Sequence, residues 1–243
     1  VYKRQNLNNA KLEDANLAHA NLTAANLSQA NLCKANLTNT CFNCANLQGA
    51  TLLGAKLTDV DFTNCDLRRV YASHTDLRTA QMQGADLEST YLDAANLEDV
   101  LWNKPRLFKA NLRGALLTGS KFYSGDLREA DLRKARMAEI DWSHADLRGA
   151  NLYGATFHMG SSRSGLVDSP IASEGTRTGF YTDDLEELYF KSPEEVRKAN
   201  LQGADLRGAN ITKVDFYLVD LRGAKLDPSQ RKQACQTGAI LND

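Results

Sequence analysis

The amino-acid sequence predicts an all-β solenoid, and three observations carry that expectation. A large apolar residue recurs at every fifth position. A small residue stands two positions before it, and the remaining positions are polar. The apolar series runs Leu7, Leu12, Leu17, Leu22, Leu27, Leu32, Leu37, Phe42 and on to Leu67, lapses at Ala72, and continues from Leu77 to Phe157. The small series reads Ala10, Ala15, Ala20, Ala25, with Asn or Asp between the two series, as in Asn16, Asn21, Asp76 and Asp146. A period of five fits neither the 3.6 of a helix nor the 2 of a flat strand. It fits a chain that turns a corner after every unit, with the large and small residues pointing inward. Short, fixed self-similarity of this kind marks a repeat architecture.

Composition agrees. Of 243 residues, 42% are hydrophobic but only 7% aromatic, which suits a thin core of Ala and Leu. There are 29 basic and 30 acidic residues, for a net charge of -1. That balance weighs against partners chosen by bulk charge, so neither nucleic acid nor an anionic membrane surface is expected. No apolar run approaches the roughly 18 residues a membrane-spanning helix needs, so no membrane insertion is expected. No signal-peptide pattern opens the chain, although Val1 in repeat register leaves room for an upstream segment. Five cysteines, an odd number, point to a reducing, cytoplasmic compartment.

The unit Ala-(Asn/Asp)-Leu-x-x resembles the pentapeptide-repeat proteins. The resemblance implies a right-handed, four-sided β-helix with four units to a coil. Residues 1–157 then form the helix, 158–199 an insertion, 200–226 its continuation and 227–243 a helical cap. The sequence supplies a check on the four-unit coil. Every fourth central residue should share one wall, and one such column reads Leu22, Phe42, Phe62, Met82, Trp102, Phe122, Trp142. The small-residue column beside it is enlarged too, at Thr40, Val60, Val100 and Ile140. A stacked aromatic seam on one wall is therefore expected. Successive coils should pair as parallel strands about 4.8 Å apart.

The period stops after Phe157 and returns at Leu201. Between them, Gly160, Ser161, Ser162, Ser164, Gly165 and Pro170 read as a loop. Thr182, Asp183 and Asp184 before Leu185, Leu188, Tyr189 and Phe190 read as a helix start with an apolar face. Ser192-Pro193-Glu194-Glu195 reads as a capping box opening a second helix. The later units centre on Leu201, Leu206, Ile211, Phe216, Leu221 and Leu226. If the insertion replaces one unit, Phe216 stacks beside Phe157. Asp227-Pro228-Ser229-Gln230 then starts the capping helix and Gly238 ends it. Ile240 and Leu241 are expected to fold back onto the last coil.

Few residues suggest chemistry. Cys41 and Cys44 form a C-x-x-C, but a zinc site needs four ligands and no second pair exists. His19, His74, His144 and His158 map to separate places. Flanking the inward Phe42, the two cysteines leave a redox or metal role as an alternative. The repeated Asn and Asp are expected to bond backbone at the corners rather than act as acids. No nucleophile elbow or phosphate-cradling glycine loop is present. No catalytic, cofactor or metal residue is assigned, and an enzyme is not expected.

The expected function is a non-enzymatic protein-interaction scaffold with a protein partner. Two surfaces are candidates. One is the insertion, through Phe180, Tyr181, Tyr189 and Phe190, since loops on rigid scaffolds carry function. The other is a patch near Pro105, comprising Leu101, Phe108 and Tyr123 among Lys104, Arg106, Lys109 and Lys121, with Tyr71 and Tyr91 further round. The resemblance adds a second alternative, because some family members imitate duplex DNA and bind type II topoisomerases such as gyrase. That mimicry needs a strongly negative rod. Arg113 and Arg133 on one wall, and Arg128 and Arg148 on the next, should instead make parts of this surface positive.

Overall fold

The computed structural model describes residues 5–158 and 199–242. Asn6 pairs with Asn26, Lys11 with Asn31, Asn16 with Asn36 and Asn21 with Cys41, all parallel and all twenty residues apart. Four five-residue units therefore make one coil, and the coils stack as a four-walled tower. The first wall carries the Phe42 column, the second Leu27 and Leu47, the third Leu32 and Leu52, the fourth Leu37 and Leu57.

One hydrogen-bond scheme repeats through the tower. The central residue donates upward, as in Leu22 N–H to the Cys41 carbonyl at 2.8 Å, and the small residue closes the corner, as in Ala25 N–H to the Leu22 carbonyl at 3.0 Å. The corner places its third residue at positive φ, 61° at His19, 55° at Lys34 and 68° at Gly49. A turn of this type needs that conformation at its third position.

The inward positions are filled. Leu27, Ala30, Leu32, Ala35 and Leu37 are fully buried, as are Phe42, Phe62, Phe122 and Trp142. The aromatic seam is stacked: Phe42 on Phe62 at 5.2 Å, Trp102 on Phe122 at 5.2 Å, and Phe122 on Trp142 at 5.0 Å. The register survives the long step after Phe157. Asp141 pairs with Asn200, Asp146 with Asp205 and Asn151 with Asn210. Phe157 stacks on Phe216 at 5.6 Å on the fourth wall. The loop and two helices expected within 158–199 lie outside the described residues.

The far end is closed by helix α1, Pro228–Thr237. Pro228 opens it, where a missing N–H costs nothing, and the Asp227 N–H donates to Gln230 Oε1 at 2.8 Å. Gly238, at φ 83°, ends it in the left-handed conformation. Two glutamines of α1 serve the open coil. Gln230 Nε2 donates to the carbonyls of Leu206 and Ala209 at 2.6 and 2.9 Å on the second wall. Gln233 Nε2 does the same for Ile211 and Val214, both at 2.9 Å, on the third. The tail covers the other two walls, through Leu218 N–H to the Gly238 carbonyl at 3.0 Å and Leu221 N–H to the Ile240 carbonyl at 2.8 Å. Partners are thus supplied to an end that would otherwise present unpaired backbone.

Two adjacent interruptions lie in the middle of the tower. The first is at Thr79. Every other described corner from Asn9 to Gly223 has positive φ at its third residue, and Thr79 does not. A β-branched side chain resists that conformation. In a regular corner the Asn64 N–H reaches the Gln83 carbonyl at 2.8 Å. At Thr79 the Asp59 N–H instead bonds the threonine Oγ1 at 2.8 Å, and the Lys56–Asp76 bridge is lost from the ladder. The second interruption is on the first wall, where no bridge joins Gln81 to Leu101. Pro105 closes the same unit and has no N–H for its corner.

Candidate interaction surface

The outward positions begin with the recurrent Asn or Asp. Its Oδ1 accepts the backbone N–H two residues on: Asn21 from Thr23 at 3.0 Å, Asn46 from Gln48 at 2.9 Å, Asp61 from Thr63 at 2.8 Å. These side chains pin the corners, an Asx-turn role that explains their recurrence.

Where Arg follows two residues after Asp, the pair forms a fork. Arg128 donates Nε and Nη2 to the two oxygens of Asp126, each at 2.8 Å. Arg148 forks onto Asp146 and Arg207 onto Asp205 in the same way. On the second wall these forks also reach across coils, Arg128 to Asp146 at 3.7 Å and Arg148 to Asp205 at 3.9 Å. The arginine hydrogen bonds hold the carboxyls of Asp126, Asp146 and Asp205 below the usual carboxylate range. This corrects the expectation of a positive stack for Arg128 and Arg148, and for Arg133 on the third wall, while Arg113 follows Asn111 and has no such fork. Arg128, Arg133 and Arg148 are each neutralised by the aspartate of their own unit.

The exposed apolar residues stand on these pinned walls. Leu101 is 66% exposed and begins the first wall of its unit, paired with Lys121. Tyr123 lies two residues beyond Lys121 on the same wall and is half-buried. Burial, and then the Asp141 carboxylate, push its phenol above the ordinary value. Phe108 is on the second wall and also half-buried. Its ring is flanked by cations, Lys109 Nζ at 4.8 Å and Arg128 Cζ at 5.2 Å from the centroid. The three residues therefore occupy two adjacent walls, the first and the second. Phe180, Tyr181, Tyr189 and Phe190 lie outside the described residues.

The third wall carries the stronger surface feature. Tyr71 and Tyr91 stack at 4.7 Å with their rings 3° from parallel, and they are 45% and 39% exposed. Leu53, exposed as well, lies two residues beyond Thr51, the bridge partner of Tyr71. The signal was in the sequence, since Tyr71 and Tyr91 are twenty residues apart. Their outward stacking follows once that spacing is known to be one coil.

The cysteines are free. Cys65 is buried, donating Sγ–H to the Phe42 carbonyl at 2.8 Å, and burial pushes its thiol up to about 12. Cys44 is exposed. Cys41, expected from its place beside the inward Phe42 to face solvent, is half-buried, with Thr23 Oγ1 at 3.3 Å and Asp61 Oδ2 at 3.7 Å. Among the described residues, no group of three or more His, Cys, Asp or Glu side chains could hold a metal ion. Among the same residues, no helix is long and apolar enough to cross a membrane.

A filled tower with outward residues in columns defines the class, a β-solenoid built from five-residue units. The chain belongs to the pentapeptide-repeat family. The description "Pentapeptide repeats (8 copies)" matches residues 6–39, 34–69, 126–158 and 196–227, and "Pentapeptide repeat region" matches 55–132. Solved structures with similar chains include HetL, a pentapeptide repeat protein involved in heterocyst differentiation regulation from the cyanobacterium Nostoc sp. strain PCC 7120. It is 24% identical over 91% of this chain and 91% of its own, with a TM-score of 0.49. QnrB1, a plasmid-mediated fluoroquinolone resistance protein, is 20% identical over 97% of this chain and 92% of its own, with a TM-score of 0.37. The pentapeptide repeat protein alr5209 from Nostoc PCC 7120 is 33% identical over 38% of this chain and 70% of its own, with a TM-score of 0.25. No curated protein matches the sequence.

Proposed function

We propose that this chain is a non-enzymatic protein-interaction scaffold of the cytoplasm. The observation that carries the reading is the set of exposed apolar side chains, Tyr71, Tyr91 and Leu53, held on a wall whose backbone is pinned by a repeating ladder. Aromatic rings fixed before binding lose little freedom on contact, and exposed apolar groups rimmed by charge suit a protein interface. Leu101, Phe108 and Tyr123, and the insertion residues Phe180, Tyr181, Tyr189 and Phe190, are the further candidates for contact. The partner is a protein.

The charge pattern weighs against duplex mimicry. The chain is balanced at a net charge of -1, and its second wall alternates Arg and Asp in forks. Potent inhibition of gyrase supercoiling by the purified protein would reverse that ranking. A redox role for Cys41 and Cys44 stands lower still, and titration against thiol buffers tests it directly.

The deciding experiment is a pulldown from source lysate with two baits, the intact chain and one with residues 158–196 excised. The excision restores the five-residue step from Phe157 to Leu201. Retention of one partner by both baits is the expected result for wall binding. Its loss on excision moves the site to the insertion. No partner under several growth conditions rejects the scaffold reading.

A further inference from the structure

The interruption on the first wall is open to solvent. Between Gln81 and Leu101 lies a cleft of about 450 Å³, lined in part by Arg78, Ala80, Gln81, Asp99, Leu101 and Trp102. Two kinds of hydrogen-bonding group are left unpaired there.

The first kind is backbone. One coil below, the Phe62 N–H donates to the Gln81 carbonyl at 2.8 Å and the Gln81 N–H to the Val60 carbonyl at 2.9 Å. One coil above, the Trp102 N–H donates to the Lys121 carbonyl at 3.0 Å and the Lys121 N–H to the Val100 carbonyl at 2.8 Å. The matching bonds, Met82 N–H to the Leu101 carbonyl and Leu101 N–H to the Ala80 carbonyl, are not made. Two facing stretches of backbone thus each present a donor and an acceptor.

The second kind is the Trp102 indole. Trp142, two coils on in the same column, donates its Nε1–H to Ser120 Oγ at 3.0 Å. The position matching Ser120 for Trp102 is Ala80, which offers no acceptor. Trp102 is only 3% exposed, and its Nε1 has no hydrogen-bond partner. An orphaned buried donor is costly and needs an explanation.

We propose that this cleft binds an extended peptide segment of a protein partner. The inference rests on the scaffold reading and locates the contact within it. A peptide group carries one acceptor and one donor, the complement of what the facing backbones and the indole leave unpaired. Formal charge selects no ion, because Arg78 is already forked onto Asp76 and the Asp99 carboxylate lines the same cleft. Leu101 at the mouth offers an apolar contact for one side chain of the segment. Backbone pairing supplies affinity and this contact supplies selectivity, the usual division in recognition of an extended peptide.

The test uses the full-length chain, labelled with nitrogen-15, and random linear peptides displayed on phage and selected against it. Its two tryptophans give two indole signals, assigned with Trp142→Phe. Selected peptides are expected to shift the Trp102 indole and the Leu101 amide while leaving Trp142 in place. Ala80→Ser supplies the indole with an internal acceptor and should weaken peptide binding about tenfold, with a melting temperature no lower than the parent's. Selection of no peptide, an unmoved Trp102 signal, or unchanged binding by Ala80→Ser overturns the proposal. A lysate partner held equally by parent and Ala80→Ser would sink the cleft while leaving the scaffold reading intact.

Discussion

The third residue of each corner sits at positive φ in side chains as different as His19, Lys34, Arg69 and Glu129. For an L-residue that conformation costs about 1–2 kcal/mol, and the ladder bonds around each corner offset it. Thr79 is the β-branched exception, and the loss of the Lys56–Asp76 bridge follows from it. Thr79→Asn should admit the left-handed corner, return the Asp59 N–H to the Arg78 carbonyl and stabilise the chain by about 1 kcal/mol. Urea unfolding together with slower exchange of the Asp59 amide would show it, whereas unchanged exchange would remove the explanation. The sequence contained this signal only faintly, because the five-residue period passes through Leu77 without a fault. What differs is one side chain at a position defined by conformation, and the period says nothing of conformation. Trp102 was legible as a core residue. Its orphaned indole was not, because that depends on the identity of a residue one coil away, Ala80 against Ser120.

Helix α1 acts at the scale of an element. Its glutamines each hold two carbonyls of the last coil, so Gln230→Ala leaves the buried Leu206 and Ala209 carbonyls without that donor. A loss of about 1–3 kcal/mol is expected. Because each coil leans only on its neighbours, hydrogen exchange should rise first in residues 201–226 and barely in the distant coils. Equal rises throughout would show a fully cooperative tower. The Asp–Arg forks are the other recurring element, and the direction of their pH response is fixed. Their carboxyl pKa values are depressed on folding. Their stabilisation is therefore complete above the unfolded carboxylate value, about 3.9, and is lost as pH falls through the lower folded values. The melting temperature should stay level on the neutral side and fall below about pH 4, with a shallower fall in Asp146→Asn. The arginine columns were readable from the sequence. Their neutralisation was not, since it turns on side chains two residues apart leaning along the same wall.

At the scale of the whole molecule, the solenoid was legible because inward positions repeat and must fill a narrow core. The two stacked runs of the seam, Phe42–Phe62 and Trp102–Phe122–Trp142 with Met82 between them, followed from one count, that these aromatics recur on every fourth unit. Function was far less legible, because the outward positions are free of that constraint and nothing periodic marks a contact surface. The Tyr71–Tyr91 stack and the Trp102 cleft emerge only when neighbouring coils are superposed. The twenty-residue spacing of the bridges also makes length a quantised property of this protein. Removing Asn21–Thr40 deletes one full circuit, and the rod shortens while every side chain keeps its compass bearing. Removing a single unit instead turns everything above the cut by a quarter, so that the Trp102 column stands over leucines and each interaction surface faces a new direction. Circular dichroism and melting of the two deletions should separate them clearly, with the full-circuit variant the more stable. Variation in length is therefore tolerated only in whole circuits, much as a spiral stair can lose a complete turn without moving its doors.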